Sequence, residues 1–353
     1  MTSLLARPIA WMSAMKKQLA VAGAAVALAG CSANPIYTTT GVVLNNYSIK
    51  HATPYVLQMD DAVLACSLGE AVDPLLFSFS RVMKAPNEVG SLMQLLAANC
   101  SEMETWEEEL RYLRADYAGN VPEARDAREN AKRLHAITAK RRYEAFQRSM
   151  RAFKYDPSDV NAECPFLFED QEQLTFLVGV LTGLQAIVND ANSGAIAGVP
   201  RNIAPQAERA AQCLDNEKWG GLPNAIRALV WLLLPDTRPA LSPEPWRMLE
   251  NSSELGVKAG FRTAMALEAV AAETFGRDDV LESVIARFAA SEDGFKVWPE
   301  YRLLDVIGRS VVQFSSDKYW TQNYGYRTPS NQFGRLRPGS SQPVEVMDLD
   351  DLF

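Results

Sequence analysis

The fold is decided between Ser91 and Tyr117, in "SLMQLLAANCSEMETWEEELRYLRADY". Leu92, Leu95, Leu96, Cys100, Met103, Leu110, Leu113 and Tyr117 recur at threes and fours. Each helical residue turns the chain by about 100°, so this spacing gathers the apolar side chains on one stripe and leaves Glu107-Glu108-Glu109 as a solvated face. Pro86-Asn87 before the stretch and Gly119-Asn120 after it supply the stops. A long amphipathic helix is the expectation.

The same period extends in both directions. A second long helix is expected over Val121 to about Tyr155, with Leu134, Tyr143, Phe146, Met150 and Phe153 on its apolar side. Its end, "YEAFQRSMRAFKYDP" (143–157), resembles the second helix of a tetratricopeptide repeat, with Ala145 and Ala152 seven apart and Asp156-Pro157 turning the chain. "LTFLVGVLTGLQAIV", Leu174 to Val188, is apolar nearly all round. A membrane span needs about 20 such residues, so these fifteen read as a buried central helix. Gly179 and Gly183, four apart, give it a face for close packing. Further helices are expected at Pro205–Trp219, Asn224–Leu234, Pro245–Phe275, Asp278–Ala290 and Pro299–Phe314. No stretch alternates with period two. The fold class is therefore all-α, a helical solenoid or bundle of degenerate tetratricopeptide-type helix pairs over residues 59–320.

The two ends read differently. In "MKKQLAVAGAAVALAGC" (15–31) Lys16 and Lys17 precede eleven apolar residues, Leu19 to Ala29, which is too short to span a bilayer. Positive start, short apolar run and small residues describe a secretory signal over 1–30. Leu28-Ala29-Gly30-Cys31 resembles the lipobox of bacterial lipoproteins, which implies diacylglycerol on the Cys31 sulfur, and Ser32 after it points to the periplasmic face of the outer membrane. Residues 31–58 then read as a lipid-anchored tether. Residues 321–353, rich in Ser, Pro, Gly and Asn and ending in "VMDLDDLF", read as a disordered acidic tail.

Composition narrows the function. The 353-residue chain carries a net charge of −8; losing Arg7, Lys16 and Lys17 with the signal leaves −11. An acidic body lacks the basic footprint of a nucleic-acid binder. Cys66, Cys100, Cys164 and Cys213 remain beside Cys31, and an oxidising periplasm permits two disulfides in any of three pairings, or none if they are small core residues. No CxxC spacing supports a metal or redox site, and no cofactor is expected. His51 in the tether and His135 in a basic helix, the only histidines, lie near no partner at ligand spacing and read as incidental. GxSxG, Walker and GxGxxG patterns are absent from the sequence. A non-enzyme is expected.

Two features remain. Arg125 to Lys154 holds ten Lys/Arg against three acids, suited either to an anionic partner or to neutralising the acidic helix around Glu102 to Glu109. Trp219, Trp231, Trp246, Phe261, Phe275 and Trp298 either fill the core or line a groove for an apolar ligand.

The order of these features resembles the T-component family of TRAP transporters, periplasmic lipoproteins built of degenerate tetratricopeptide-type helices. The resemblance rests on "AKRLHAITAKRRYEAFQRSMRAF" (131–153), on "FLFEDQEQLTFLVGVLTGLQAIVND" (166–190), and on the run from Phe261 to Trp320 with its closing Pro299-Glu300-Tyr301-Arg302-Leu303-Leu304. The acidic start before the first helix is reduced here to Asp60-Asp61 and Asp73-Pro74. The resemblance implies a helical solenoid with a cleft or pore, a tendency to oligomerise, contact with a periplasmic solute-binding protein, and no catalytic residues. The expected function is a relay or receptor for a small, hydrophobic solute. A lipid or sterol carrier, and a scaffold for protein assembly, are the alternatives.

Overall fold

A computed structural model describes residues 34–339; the expected signal peptide over 1–30, Cys31 and residues 340–353 lie outside this range. Every regular element described is helical. Two short helices, α1 (Pro35–Tyr47) and α2 (Thr53–Leu57), are joined by a π-turn at Ser48–Ala52. Then follow α3 (Ala62–Ser78), α4 (Asn87–Tyr117), α5 (Val121–Ala152) and α6 (Asp170–Ser193). The second half comprises α7 (Ile203–Ala211), α8 (Leu222–Leu233), α9 (Pro245–Ala259), α10 (Thr263–Thr274), α11 (Asp278–Glu292) and α12 (Arg302–Tyr324).

The helix starts follow from local chemistry. Asp61 accepts a hydrogen bond from the Leu64 amide, Asn120 caps α5 ahead of a first-turn proline, and Glu169 with Glu172 forms a reciprocal capping box on α6. Each cap satisfies donors that a helix start otherwise leaves orphaned.

Neighbours in sequence are mostly neighbours in space, as in stacked helix pairs: α3 on α4, α4 on α5, α5 on α6, and so on to α10 on α11. The last helix breaks this order. α12 packs on α10 and returns to touch α4, α3 and α2, so the stack closes into a bundle. Trp106 of α4 stacks on Phe314 of α12 at 4.7 Å between ring centres. One large core runs from Val56 to Leu304, and a smaller one joins α10, α11 and α12 around Ile285, Phe288, Val312 and Trp320.

The central helix is buried as expected. In α6, Leu174 through Leu184 is buried without a break. Its two glycines sit where neighbours press closest: a Cβ on Gly179 would meet Ser149 Oγ at 2.3 Å, and one on Gly183 would meet the Phe146 ring at 2.7 Å.

Four expectations need correction. Residues 34–58, read as part of a tether, form α1, the π-turn and α2; Gly41 faces Phe79 and Met83, and the Thr38 hydroxyl donates to the Val82 carbonyl at 3.0 Å. The Pro245–Phe275 helix is two helices, because Gly260 adopts a left-handed φ of 87°. A side chain there would also strike the Trp298 backbone. The expected Pro205–Trp219 helix stops at Ala211 and continues as turns. The region from 321 to 339 is not a loose tail. It completes α12, buries Leu336, and accepts the Trp320 indole hydrogen bond on the Arg335 carbonyl at 2.8 Å.

The cysteines pair as Cys66–Cys100, between α3 and α4, and Cys164–Cys213, between the loop after α5 and the turn after α7.

Candidate functional site

The six aromatic groove candidates separate into three places. Trp219 and Phe261 are fully buried and close on Trp298, with the Trp219 and Trp298 rings 6.0 Å apart. Trp219 donates its indole N–H to Gln173 Oε1 at 3.2 Å, and Tyr301 completes the wedge. Burial, with help from Asp170 and Glu300, pushes the Tyr301 phenol up to about 12. This group is core beneath the α9–α10 turn and lines no groove. Trp246 and Phe275 meet edge to face elsewhere, with the Arg277 guanidinium 5.4 Å from the Trp246 ring.

Phe275 is 39% exposed on the surface, and Trp231 is the one of the six that lines a ligand-sized cleft. It lines a cleft of about 560 Å3 bounded by α8, α9 and the loop after α8, with Met248 and Leu255 on the apolar side. Polar side chains crowd one wall. Asn216 Oδ1 accepts from the Asn224 amide at 3.0 Å, Asn224 Oδ1 accepts from Arg227 at 3.3 Å, and Arg227 Nε donates to Glu208 at 3.0 Å. The Arg227 guanidinium sits 4.9 Å from the Trp231 ring centre. Trp231 is 2% exposed, yet its indole N–H has no acceptor among the described residues. Leu241, fully exposed on the bordering loop, stands at the rim.

Two other spaces differ in kind. An open cleft of about 540 Å3 runs past Tyr143, Gln147, Arg151 and Asn202. A leucine-lined gap between α2, α4, α6 and α12 measures about 20 Å3, room for little more than one water-sized probe.

The histidine read as incidental is the centre of a buried polar chain. His135 Nε2 lies 2.7 Å from Glu109 Oε1, and the Asn189 amide nitrogen lies 3.1 Å from His135 Nδ1. The same amide donates to Glu102 at 3.0 Å while Asn189 Oδ1 accepts from Arg142 at 2.5 Å. The amide must therefore turn its N–H toward Nδ1, which assigns the imidazole proton to Nε2, facing the carboxylate. On the other side Lys318 reaches Glu109 Oε2 at 3.5 Å and Glu273 at 2.5 Å. Burial pushes the Glu109 carboxyl up, but the hydrogen bond from His135 and the charge of Lys318 outweigh it and hold it below the usual range. Burial opposes the Lys318 charge, and the two glutamates overcome it and raise its pKa. Both ring nitrogens of His135 are engaged inside the helix layers, which leaves none to take a proton from a substrate. No sequence signal marked this chain, because its members lie on α4, α5, α6, α10 and α12.

Among the described residues, five of the ten cations of the basic helix are paired with carboxylates, Lys132 and Arg151 with Glu129 and Glu144 of the helix itself. Arg142 pairs with Glu102, Arg148 with Asp73 and Glu144, and Arg141 with Glu70. Asp190, in the last turn of α6, accepts the amides of Ala197, Gly198 and Val199 and so anchors the following loop. Arg262 grips Asp305 with two side-chain hydrogen bonds, between the rings of Phe288 and Phe295. Among the described residues no three His, Cys, Asp or Glu side chains gather as a metal site.

Neither a family model, nor a curated protein, nor a solved structure matches the chain. The class of protein that the structure defines is an all-α helical bundle.

Proposed function

We propose that this is a non-enzymatic, lipid-anchored receptor of the bacterial envelope, held by Cys31 at the periplasmic face of the outer membrane. It binds a small, mostly apolar solute carrying a hydrogen-bond acceptor, and works with a periplasmic solute-binding protein. The observation that carries this reading is the cleft beside Trp231, of ligand-sized volume, with Met248 and Leu255 on its apolar side and Arg227 as a charged donor in its lining. The carrier alternative calls for an enclosed apolar cavity of several hundred Å3, against the 20 Å3 of the leucine-lined gap. The scaffold alternative calls for a long open stack, whereas the return of α12 to α4 closes the stack into a bundle.

Titration with anilinonaphthalene sulfonate, an apolar anion rich in acceptors, tests the cleft. Trp231→Ala and Arg227→Ala each weaken binding on the order of tenfold, whereas Phe166→Ala, on an exposed loop residue, leaves it unchanged. Equal binding by all four proteins defeats the proposal. Native mass spectrometry of the full chain from its own host then identifies the natural solute.

A further inference from the structure

The first acidic residue of this chain is Asp60, although the whole sequence holds 43 Asp and Glu. Between Asn34 and Met59 the only charged or titratable side chains besides tyrosine are Lys50 and His51. These residues form α1, the π-turn and α2. One side of α1 is committed to the body through Thr38, Gly41 and the buried Ser48. Ile36, Val43 and Tyr47 fall at spacings of seven and four, share the opposite edge, and are 70%, 59% and 58% exposed.

The next helix continues the theme. Val63, Leu64 and Leu75 of α3 are all more than half exposed. Its two acids are occupied, Glu70 by Arg141 and Asp73 by Arg148. The segment 62–81 has a mean hydropathy of 1.5, yet only 28% of it is buried. Its 17 helical residues extend about 26 Å, short of a hydrocarbon core of about 30 Å, and the Cys66–Cys100 bond ties it to α4. It cannot leave the body to span a bilayer, but its outer face is composed like one that meets lipid.

We infer that the outward edge of α1 and the exposed face of α3 form a surface that rests on the phospholipid bilayer. The chain outside the described residues decides for lipid over a protein partner. Cys31 lies four residues before Pro35, a span of at most about 14 Å, so acyl chains on its sulfur hold α1 against the membrane. The inference rests on that acylation for its geometry. On the α1 part of the surface the charge pattern agrees: residues 34–59 hold no acid to repel anionic headgroups and Lys50 adds attraction, while on α3 the exposed Glu70 is neutralised by Arg141 at 2.7 Å. Tyr37, Tyr47 and Tyr55, all more than half exposed, are of the residue type that favours the interfacial layer.

The test uses the full chain in vesicles of phosphatidylethanolamine and phosphatidylglycerol, with a benzophenone side chain at position 36, 43 or 160. Position 160 is an exposed control on the loop after α5. The expected result is phospholipid adducts at 36 and 43 and none at 160. Adding Tyr47→Glu to the position-43 protein lowers the adduct yield on the order of tenfold at an unchanged melting temperature. Protein adducts at 36 and 43, no adducts there, or equal lipid adducts at 160 overturn the inference. The mass of the mature N-terminal peptide reports Cys31 acylation separately. Acylation with no adduct at 43 defeats the surface alone; an unmodified Cys31 with adducts at 43 defeats the anchor and leaves the surface standing.

Discussion

At the scale of single residues, close packing and buried charge matter most. Gly179 lets α6 approach Ser149 of α5 more closely than any side chain permits, since a Cβ would lie 2.4 Å from the Ser149 Cβ. Gly179→Ala should cost about 1–3 kcal/mol of stability in denaturant unfolding, and Ser149→Gly in the same chain should recover most of it. Failure of that rescue would mean that the contact does not set the helix spacing. Glu88, in the first turn of α4, shows an unfavourable charge. Burial, and then repulsion from Glu172 and Glu169, raises its pKa in the folded state. The folded protein therefore holds that proton more tightly than the unfolded chain, and stability falls as pH climbs above the ordinary carboxylate value. Glu88→Gln should raise the melting temperature at pH 7 by roughly a degree or two and leave it unchanged at pH 4. Glu109 runs the opposite way: its lowered pKa gives stability that is present at neutral pH and lost on acidification.

At the scale of elements, periodicity exposed the long helices well. α4, α5 and α6 lie where three- and four-residue spacing, capping residues and prolines put them. It failed for α1, whose "PIYTTTGVVLNNY" is rich in β-branched residues and asparagine with weak helix preference. Packing of Gly41 against Phe79 and Met83 overrides that preference. Pairing of the cysteines also needed the helices in place, since four cysteines allow three arrangements. Cys164–Cys213 closes a separation of 49 residues and holds the long loop between α5 and α6 against the end of α7. Replacing both cysteines with serine should lower stability by about 4 kcal/mol on the chain-entropy account. Hydrogen exchange should then accelerate over 157–168 and not in α4. A uniform acceleration would show that the bridge supports the whole bundle instead of this loop.

At the scale of the molecule, closure by α12 distinguishes this fold from an open stack. α12 brings Lys318 to Glu109, Phe314 to Trp106, and the following segment brings Arg327 to Glu107, all from the far end of the chain. Leu336 seals the smaller core beside Trp320 at 2% exposure. Leu336→Ala should cost about 2–4 kcal/mol and blue-shift or broaden no spectrum of the distant Trp231 cleft. A neutral outcome would return residues 326–339 to the status of a loose tail. Two ligand-sized clefts lie between neighbouring elements, one past α5 and α7 and one beside α8 and α9.

By itself the sequence determined the helical class, the burial of α6, the two close-packing glycines and the acid-free N-terminal stretch. Each of these follows from residue spacing or composition along one segment, where the physics is local. Tertiary structure alone decided the disulfide pairing, the burial of Trp219 and Phe261, the His135–Glu109–Asn189 chain and the exposure of Ile36 and Val43. Those depend on residues far apart in sequence meeting or failing to meet, as His135 meets partners 26 and 54 positions away. An apolar helix face reads the same whether another helix covers it, as for Leu177, or none does, as for Val43; only the packed bundle supplies or withholds the cover.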